Sequence, residues 1–165
     1  MKKEFNNLPK VSIVIPTLNE SDNLPLLLSD LSEIFGDSEV IIIDASSEDR
    51  TGDIAYLYGS NFYQIKEKNR GLQLNIGAKK AIGHWLLFLH ADTRFKPNWS
   101  EEILEIIRKE NKSIYFFKFK INDTNPTFRL LEFFVFIRCY LFKSPYGDQG
   151  LLIHKSIFEA AKGYK

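Results

Sequence analysis

Three runs of apolar, largely β-branched residues each finish in a polar loop that carries an acid. Residues 11–15 (VSIVI) lead into Pro16-Thr17-Leu18-Asn19-Glu20, and residues 39–43 (EVIII) lead into Asp44-Ala45-Ser46-Ser47-Glu48-Asp49. Residues 85–89 (WLLFL) lead into His90-Ala91-Asp92-Thr93. One such loop is ordinary turn chemistry, because Asp, Asn and Ser cap helices and close turns. Three of them, each behind a buried run, point to one site. Phosphates can be held by the amides of a glycine loop or by a divalent cation on carboxylates. No G-x-G-x-x-G follows the first run. Residues 71–79 (GLQLNIGAK) miss the P-loop spacing and lack its closing Lys-Ser/Thr. The acid-tipped loops therefore favour a carboxylate-held cation. A carboxylate that follows a buried run, as Asp92 does, is costly to desolvate unless something cationic or a hydrogen-bond donor meets it.

Something must bring those loops together. The runs at 11–17, 39–44 and 85–90 are continuous rather than alternating, as strands buried on both faces are. A weaker strand is expected at 62–65, a fifth at 114–121 and a short one at 151–154. Leu24, Leu27, Leu28, Leu31 and Ile34 recur at helical spacing within residues 20–35, ahead of Gly36. Further helices are expected at 51–58 with Thr51 as N-cap, at 71–82, from Pro97 and Asn98 to about 110, at 126–142 and from Ser156 onward. Strands alternating with helices predict an α/β fold with a mostly parallel central sheet and helices on both faces, in one domain over residues 1–165. In such sheets the ligand sits beyond the carboxyl ends of the strands, at the topological switch point, which is where all three acid loops would lie.

Bulk properties narrow the function class. The 165 residues carry 22 Lys and Arg against 21 Asp and Glu, so no overall field recruits nucleic acid. The single cysteine, Cys139, excludes an intrachain disulfide and fits a reducing compartment, the cytoplasm. Residues 1–10 lack the apolar core of a signal peptide, so the sequon Asn98-Trp99-Ser100 reads as a helix start. Residues 128–142 (FRLLEFFVFIRCYLF) contain Arg129, Glu132 and Arg138, too many charges in too short a run to span a bilayer. They suit a helix covering the sheet, or an amphipathic helix giving peripheral contact at the inner face of a membrane.

Five motifs in order now identify a resemblance: SIVIPTLNE (12–20), DASSEDRT (44–51), NRGLQLNIGAKKA (69–81), LLFLHADTRF (86–95) and PYGDQG (145–150). Together they resemble the family 2 glycosyltransferases of the GT-A fold, with particular similarity to a small bacterial branch often labelled for arsenosugar biosynthesis. The resemblance covers nearly the whole chain. It implies a nucleotide-diphosphate sugar donor (UDP ahead of GDP), a hydroxyl acceptor, and Mg²⁺ or Mn²⁺. By the same resemblance, Pro16, Thr17, Asn19 and Glu20 line the base and ribose pocket, and Asp44 accepts a hydrogen bond from base or ribose with Ser46 nearby. Arg70 approaches the diphosphate and Asn75 faces the nucleotide. His90-Ala91-Asp92 stands at the family's D-x-D motif, which makes Asp92 the metal ligand.

Plainer roles compete with these. Pro16 and Asn19 can shape a turn, Asp44 can anchor its loop, and Arg70 can be a solvated charge. His90, where the family often has aspartate, contacts the ribose or the metal, or packs at the strand end. In the family's reaction a carboxylate deprotonates the acceptor hydroxyl, which inverts the anomeric carbon. That base usually lies in an acidic motif beyond the segment resembling 147–164, so the chain is expected to be truncated before it. Asp148 is the late acid that sits in a family motif, as base, acceptor-binding group or turn former. Two other functions stay open, a nucleotidyltransferase and a non-catalytic nucleotide-binding fragment.

Overall fold

The computed structural model describes residues 11–109, 112–117 and 150–165. The helix expected at 126–142, Cys139 and Asp148 lie outside them. Six strands form one sheet: β1 (Val11–Thr17), β2 (Ser38–Asp44), β3 (Asn61–Gln64), β4 (Trp85–Phe88), β5 (Ile114–Phe116) and β6 (Leu151–His154). Their order is β3-β2-β1-β4-β6-β5. β1 pairs in parallel with β2 and with β4, and β2 with β3. β6 runs antiparallel between β4 and β5. The sheet is thus mostly parallel, and its connections change direction between β1 and β4.

Five described helices cover it: α1 (Leu24–Leu31), α2 (Thr51–Leu57), α3 (Arg70–Lys80), α4 (Trp99–Arg108) and α5 (Lys155–Ala160). The period-2 pleat sorts the strand side chains between two layers. Val11, Ile13 and Ile15 of β1, Val40 and Ile42 of β2, and Trp85 and Leu87 of β4 pack with α1, α2 and α4. Val14, Ile41, Ile43, Leu86 and Phe88 pack on the other face with Leu74 and Ala78 of α3 and Phe158 of α5. Leu24, Leu27, Leu28 and Leu31 of α1 are wholly buried while Leu26 faces out, each buried one contributing roughly 1.5–3 kcal/mol of transfer free energy. α3 lies close against β1: a Cβ on Gly77 would fall 2.2 Å from Val14 Cγ1.

Several boundaries differ from expectation. The helix expected from residue 20 begins at Leu24, with a proline in its first turn, and passes into a 3₁₀ helix over Ser32–Asp37. β4 stops at Phe88 rather than 90, although the Leu89 amide still donates to the Val14 carbonyl at 3.1 Å. β5 is strand over Ile114–Phe116, and the expected span from 118 onward lies outside the described residues. Asn98 precedes α4 in a left-handed conformation (φ 69°) without a side-chain cap bond. Thr51 is the first residue of α2, and its hydroxyl donates to Asp49 rather than capping the helix. Among the described residues no helix is long and apolar enough to cross a membrane.

Candidate active site

Pro16 explains how the switch point opens. Residues 14 and 16 of β1 turn their backbone groups toward β4, and the β1–β4 pairing ends at Val14 and Phe88. Pro16 therefore stands where β1 has lost its neighbour, and having no N–H it strands no donor there. β1 goes on beside β2 to the pair Thr17–Asp44. β1 and β4 part here, and open α/β sheets hold their ligands in the crevice at such a switch point.

One side of that crevice is laced shut from within. Asp44 is fully buried. Its carboxylate accepts the Thr17 hydroxyl at 2.9 Å, the Ser47 hydroxyl at 2.5 Å and the Ser47 amide at 2.8 Å. The Asn19 amide donates to Ser47 Oγ at 2.8 Å, and Asn19 Oδ1 accepts the Glu48 amide at 2.9 Å. The Glu20 amide donates to Thr51 Oγ1, and the Ser21 amide to Asp49. Burial pushes the Asp49 carboxyl up, but hydrogen bonds from Thr51 and Ser21 outweigh it and hold the group down at about 2. Asn19 (φ 56°) and Ser46 (φ 61°) sit in the left-handed region, at a cost of about 1–3 kcal/mol each for such strained positions. Ser46 Oγ donates to the Ile65 carbonyl at 2.9 Å, tying its loop to the end of β3.

α3 closes this side from below. Asn69 caps it by accepting the Leu72 amide at 3.0 Å. Gln73, 5% exposed, donates from Nε2 to the Thr17 carbonyl at 3.0 Å and the Ile43 carbonyl at 2.6 Å. The first turn of α3 is thereby seated at the carboxyl edge of β1 and β2. Arg70 opens the helix, half-buried, near Tyr164. Burial raises the Tyr164 hydroxyl to about 12, against the pull of the Arg70 charge. The Tyr164 ring stands edge-on to Phe88, with centroids 5.4 Å apart.

The other side is built differently. The Thr93 amide donates to the His90 carbonyl at 3.1 Å, and the His90 amide to Thr93 Oγ1 at 3.2 Å. This turn buries Ala91 completely and brings the side chains on either side of it together. His90 Nδ1 lies 2.6 Å from Asp92 Oδ1, with side-chain exposures of 27% and 61%. Arg94 grips Asp30 of α1 with two bonds, at 2.7 and 3.0 Å, and the Phe95 ring stacks on Trp99 at 4.0 Å. The Asp92 turn is thus fixed at its base while its carboxylate faces solvent.

The sequence-based site residues now divide. Asn19, Ser46, His90 and Asp92 come to the carboxyl edge with exposed or half-exposed side chains. Pro16, Thr17 and Asp44 are buried beneath that surface, and the Thr17 hydroxyl and the Asp44 carboxylate bond within the protein. Glu20 Oε2 accepts the Asn23 side-chain amide at 2.9 Å, just ahead of α1. Asn75 was expected to face a nucleotide. Its amide accepts the Tyr164 N–H and donates to the Tyr164 carbonyl, both at 2.9 Å, tying the C-terminal residues to α3. Sequence reasoning missed Ser47 and Gln73. A glutamine on the same stripe as Leu74, Gly77 and Ala78 is the signal for the latter, because a buried amide needs partners.

A divalent cation fits Asp92 in a limited way. Among the described residues no three His, Cys, Asp or Glu side chains converge. An ion here would take most of its oxygens from its ligand and from water, as Mg²⁺ does when it rests on one or two carboxylates.

Comparison with known proteins gives this geometry a family. A PGL/p-HBAD biosynthesis glycosyltransferase of Mycobacterium tuberculosis is 37% identical over 91 residues, which is 51% of this chain and 36% of that protein. An uncharacterized glycosyltransferase of Haemophilus influenzae is 34% identical over 110 residues, 64% of this chain and 37% of that one. The chain thus spans a little over a third of these curated relatives. The Staphylococcus aureus TarS 1–349 structure in complex with UDP-GlcNAc superposes with a TM-score of 0.72 at 19% identity, covering 94% of this chain and 48% of that one. Glucosyl-3-phosphoglycerate synthase from Mycobacterium tuberculosis, in complex with Mn²⁺, UDP and glucosyl-3-phosphoglycerate, gives 0.68 at 16% identity, covering 91% and 58%. These likenesses bear out the GT-A fold; none of them carries the arsenosugar description. Residues 12–159 match the family model described as Glycosyl transferase family 2, and the chain belongs to that family.

Proposed function

We propose that the chain is the donor-binding part of an inverting transferase that moves a sugar from a nucleotide-diphosphate donor, UDP-linked, to a hydroxyl acceptor, assisted by Mg²⁺ or Mn²⁺. The observation that carries this reading is the exposed Asp92 carboxylate beside the crevice between β1 and β4. Asp92 would hold the cation through one carboxylate. When bound, such a cation supplies positive charge at the diphosphate as the sugar departs. Arg70, first residue of α3, would meet the same diphosphate, with the helix N-terminus adding its partial positive charge. The laced loops of Asn19, Ser46 and Ser47 would form the shelf for base and ribose, and Asp44 would hold that shelf from behind. Asp148 is the proposed base. The UDP named in both superposed structures supports uridine. The single Cys139 supports a cytoplasmic setting, and residues 128–142 would supply any peripheral membrane contact.

Calorimetry with UDP and GDP, with and without Mn²⁺ or Mg²⁺, tests the reading. Nucleotide affinity is expected to rise with metal and to prefer UDP. Affinity that is the same in EDTA would remove the metal role. Asp148→Asn should abolish sugar transfer without changing UDP affinity; an active Asp148→Asn protein returns that residue to turn formation.

A further inference from the structure

Gly163, Tyr164 and Lys165 cross the first turn of α3, where Arg70 begins the helix. We propose that Asn75 and Tyr164 are positioning residues for Arg70, holding its guanidinium where the donor's diphosphate meets it. The inference rests on the reading of Arg70 as a diphosphate contact.

The crossing is a constrained one. After α5 the chain turns back through Lys162 (φ 62°) and Gly163 (φ 73°), two consecutive left-handed residues. A side chain in that conformation persists only where its surroundings over-determine it. Asn75 supplies the constraint: Nδ2 donates to the Tyr164 carbonyl and Oδ1 accepts the Tyr164 amide, both at 2.9 Å. One side chain thus stands in for a neighbouring strand. A Cβ on Gly163 would fall 2.4 Å from Asn75 Oδ1, so a larger residue there displaces the clasp. Tyr164 Cβ and the Lys165 carbonyl oxygen lie 3.6 and 3.5 Å from where a Cβ on Gly71 would stand. The crossing therefore touches α3 at the residue after Arg70.

The clasp sets an aromatic ring in a definite place. The Tyr164 ring is edge-on to Phe88 at 5.4 Å and tilted against Phe158 at 5.7 Å. Phe88 is the last residue of β4, where β1 and β4 part. The ring thus occupies the α3 side of the switch point, close enough for the Arg70 charge to act on its hydroxyl. Arg70 is half-buried, yet its Nε atom is enclosed, so the stem of the side chain is held. An arginine already immobilised gives up less rotamer freedom when it grips a phosphate. The plainer alternative is that Asn75 only secures the C-terminal residues. Loss of the clasp would then weaken every ligand of the site alike.

The test uses the full chain at constant Mn²⁺, with UDP and uridine as probes, and the ratio of their affinities isolates the diphosphate. Arg70→Ala should lower that ratio by about tenfold, the scale of a charge-assisted hydrogen bond. Asn75→Ala and Tyr164→Ala should each lower it by about fivefold, while uridine affinity changes by less than about twofold. Tyr164→Phe keeps both the ring and the clasp and should restore the wild-type ratio. Added to Arg70→Ala, neither alanine variant should lower the ratio further, because the group it positions is gone. Tyr164→Ala retains the backbone atoms that Asn75 bonds, so it decides the question even if Asn75→Ala does not fold. Equal losses for UDP and uridine, or losses that add to that of Arg70→Ala, overturn the positioning role and leave the Arg70 contact standing. A ratio unmoved by Arg70→Ala overturns the Arg70 reading and the positioning role with it.

Discussion

Asp44 ends β2 and Asp92 lies in the turn that follows β4, at the same edge of the same sheet, yet the first is fully buried and accepts three hydrogen bonds. The second is 61% exposed and meets the His90 ring. Around Asp44, the loops after β1 and β2 exchange bonds until few polar groups are left over. Around Asp92, the backbone is pinned by Arg94, Phe95 and Thr93 while the carboxylate is left outward. The contrast separates two uses of one residue type. A carboxylate supplied with donors by its own chain is scaffold; one held rigidly and left without a full set of donors is available to a ligand.

Stability measurements should follow that division. Asp44→Ala leaves the Thr17 hydroxyl and both Ser47 donors without their acceptor, at about 1–3 kcal/mol for each buried group left unmade. A loss of about 3 kcal/mol or more is expected in urea unfolding, together with weaker nucleotide binding whether or not metal is present. A loss below about 1 kcal/mol would show that the loops hold without their buried anchor. Gln73→Leu strips a shared donor from the Thr17 and Ile43 carbonyls, and should cost about 1–2 kcal/mol by the same measurement; the Thr17 carbonyl keeps the Ala45 amide at 2.9 Å.

Asp49 comes next. Its folded-state value of about 2 lies below the ordinary 3.8, so the stability it contributes is present above about pH 4 and is lost as pH falls through 2. The group is exposed, and solvent screening limits the effect to about 1 kcal/mol or less. Acid unfolding of Asp49→Asn should lack that increment between pH 4 and pH 2, and an unchanged acid limb would assign the protonation to other groups. Asp92→Asn should have the smallest effect on stability, within about 0.5 kcal/mol, while eliminating the gain in UDP affinity that metal provides. Should Asp92→Asn unfold as readily as Asp44→Ala, the contrast between the two sides fails.

What the sequence made legible follows from which forces act locally. β1, β2 and β4 are buried on both faces, so their composition alone marks them, and the leucine spacing of α1 marks its core face. The antiparallel direction of β6 was not legible, because Leu151–His154 carries no sign of which way it enters the sheet. Asp92 is singled out in the sequence because an acid following an apolar run stands out against its neighbours. Asp44 stands out equally in the sequence, and its buried role depends on Thr17, which is 27 positions away. The contacts of Asn75 are hidden from the sequence for the same reason. Its partner, Tyr164, lies 89 positions on, and nothing near Asn75 announces it.

The insertion of β6 between β4 and β5 also bears on how the protein is made. β4 is wholly buried in the finished sheet, but on one side its cover is Leu151–His154, in register from Phe88↔Leu151 to Trp85↔His154. A ribosome releases β1, β2, β3 and β4 well before that segment. Until it emerges, the nascent sheet carries an unprotected apolar edge, the kind that recruits strands from other chains. β5 gives no relief, since among the described residues it reaches the sheet by pairing with β6. Yield of native protein during synthesis should therefore depend on how quickly residues 151–154 follow, and synonymous changes that slow translation between β5 and β6 would lengthen the vulnerable interval without altering a single contact in the folded molecule.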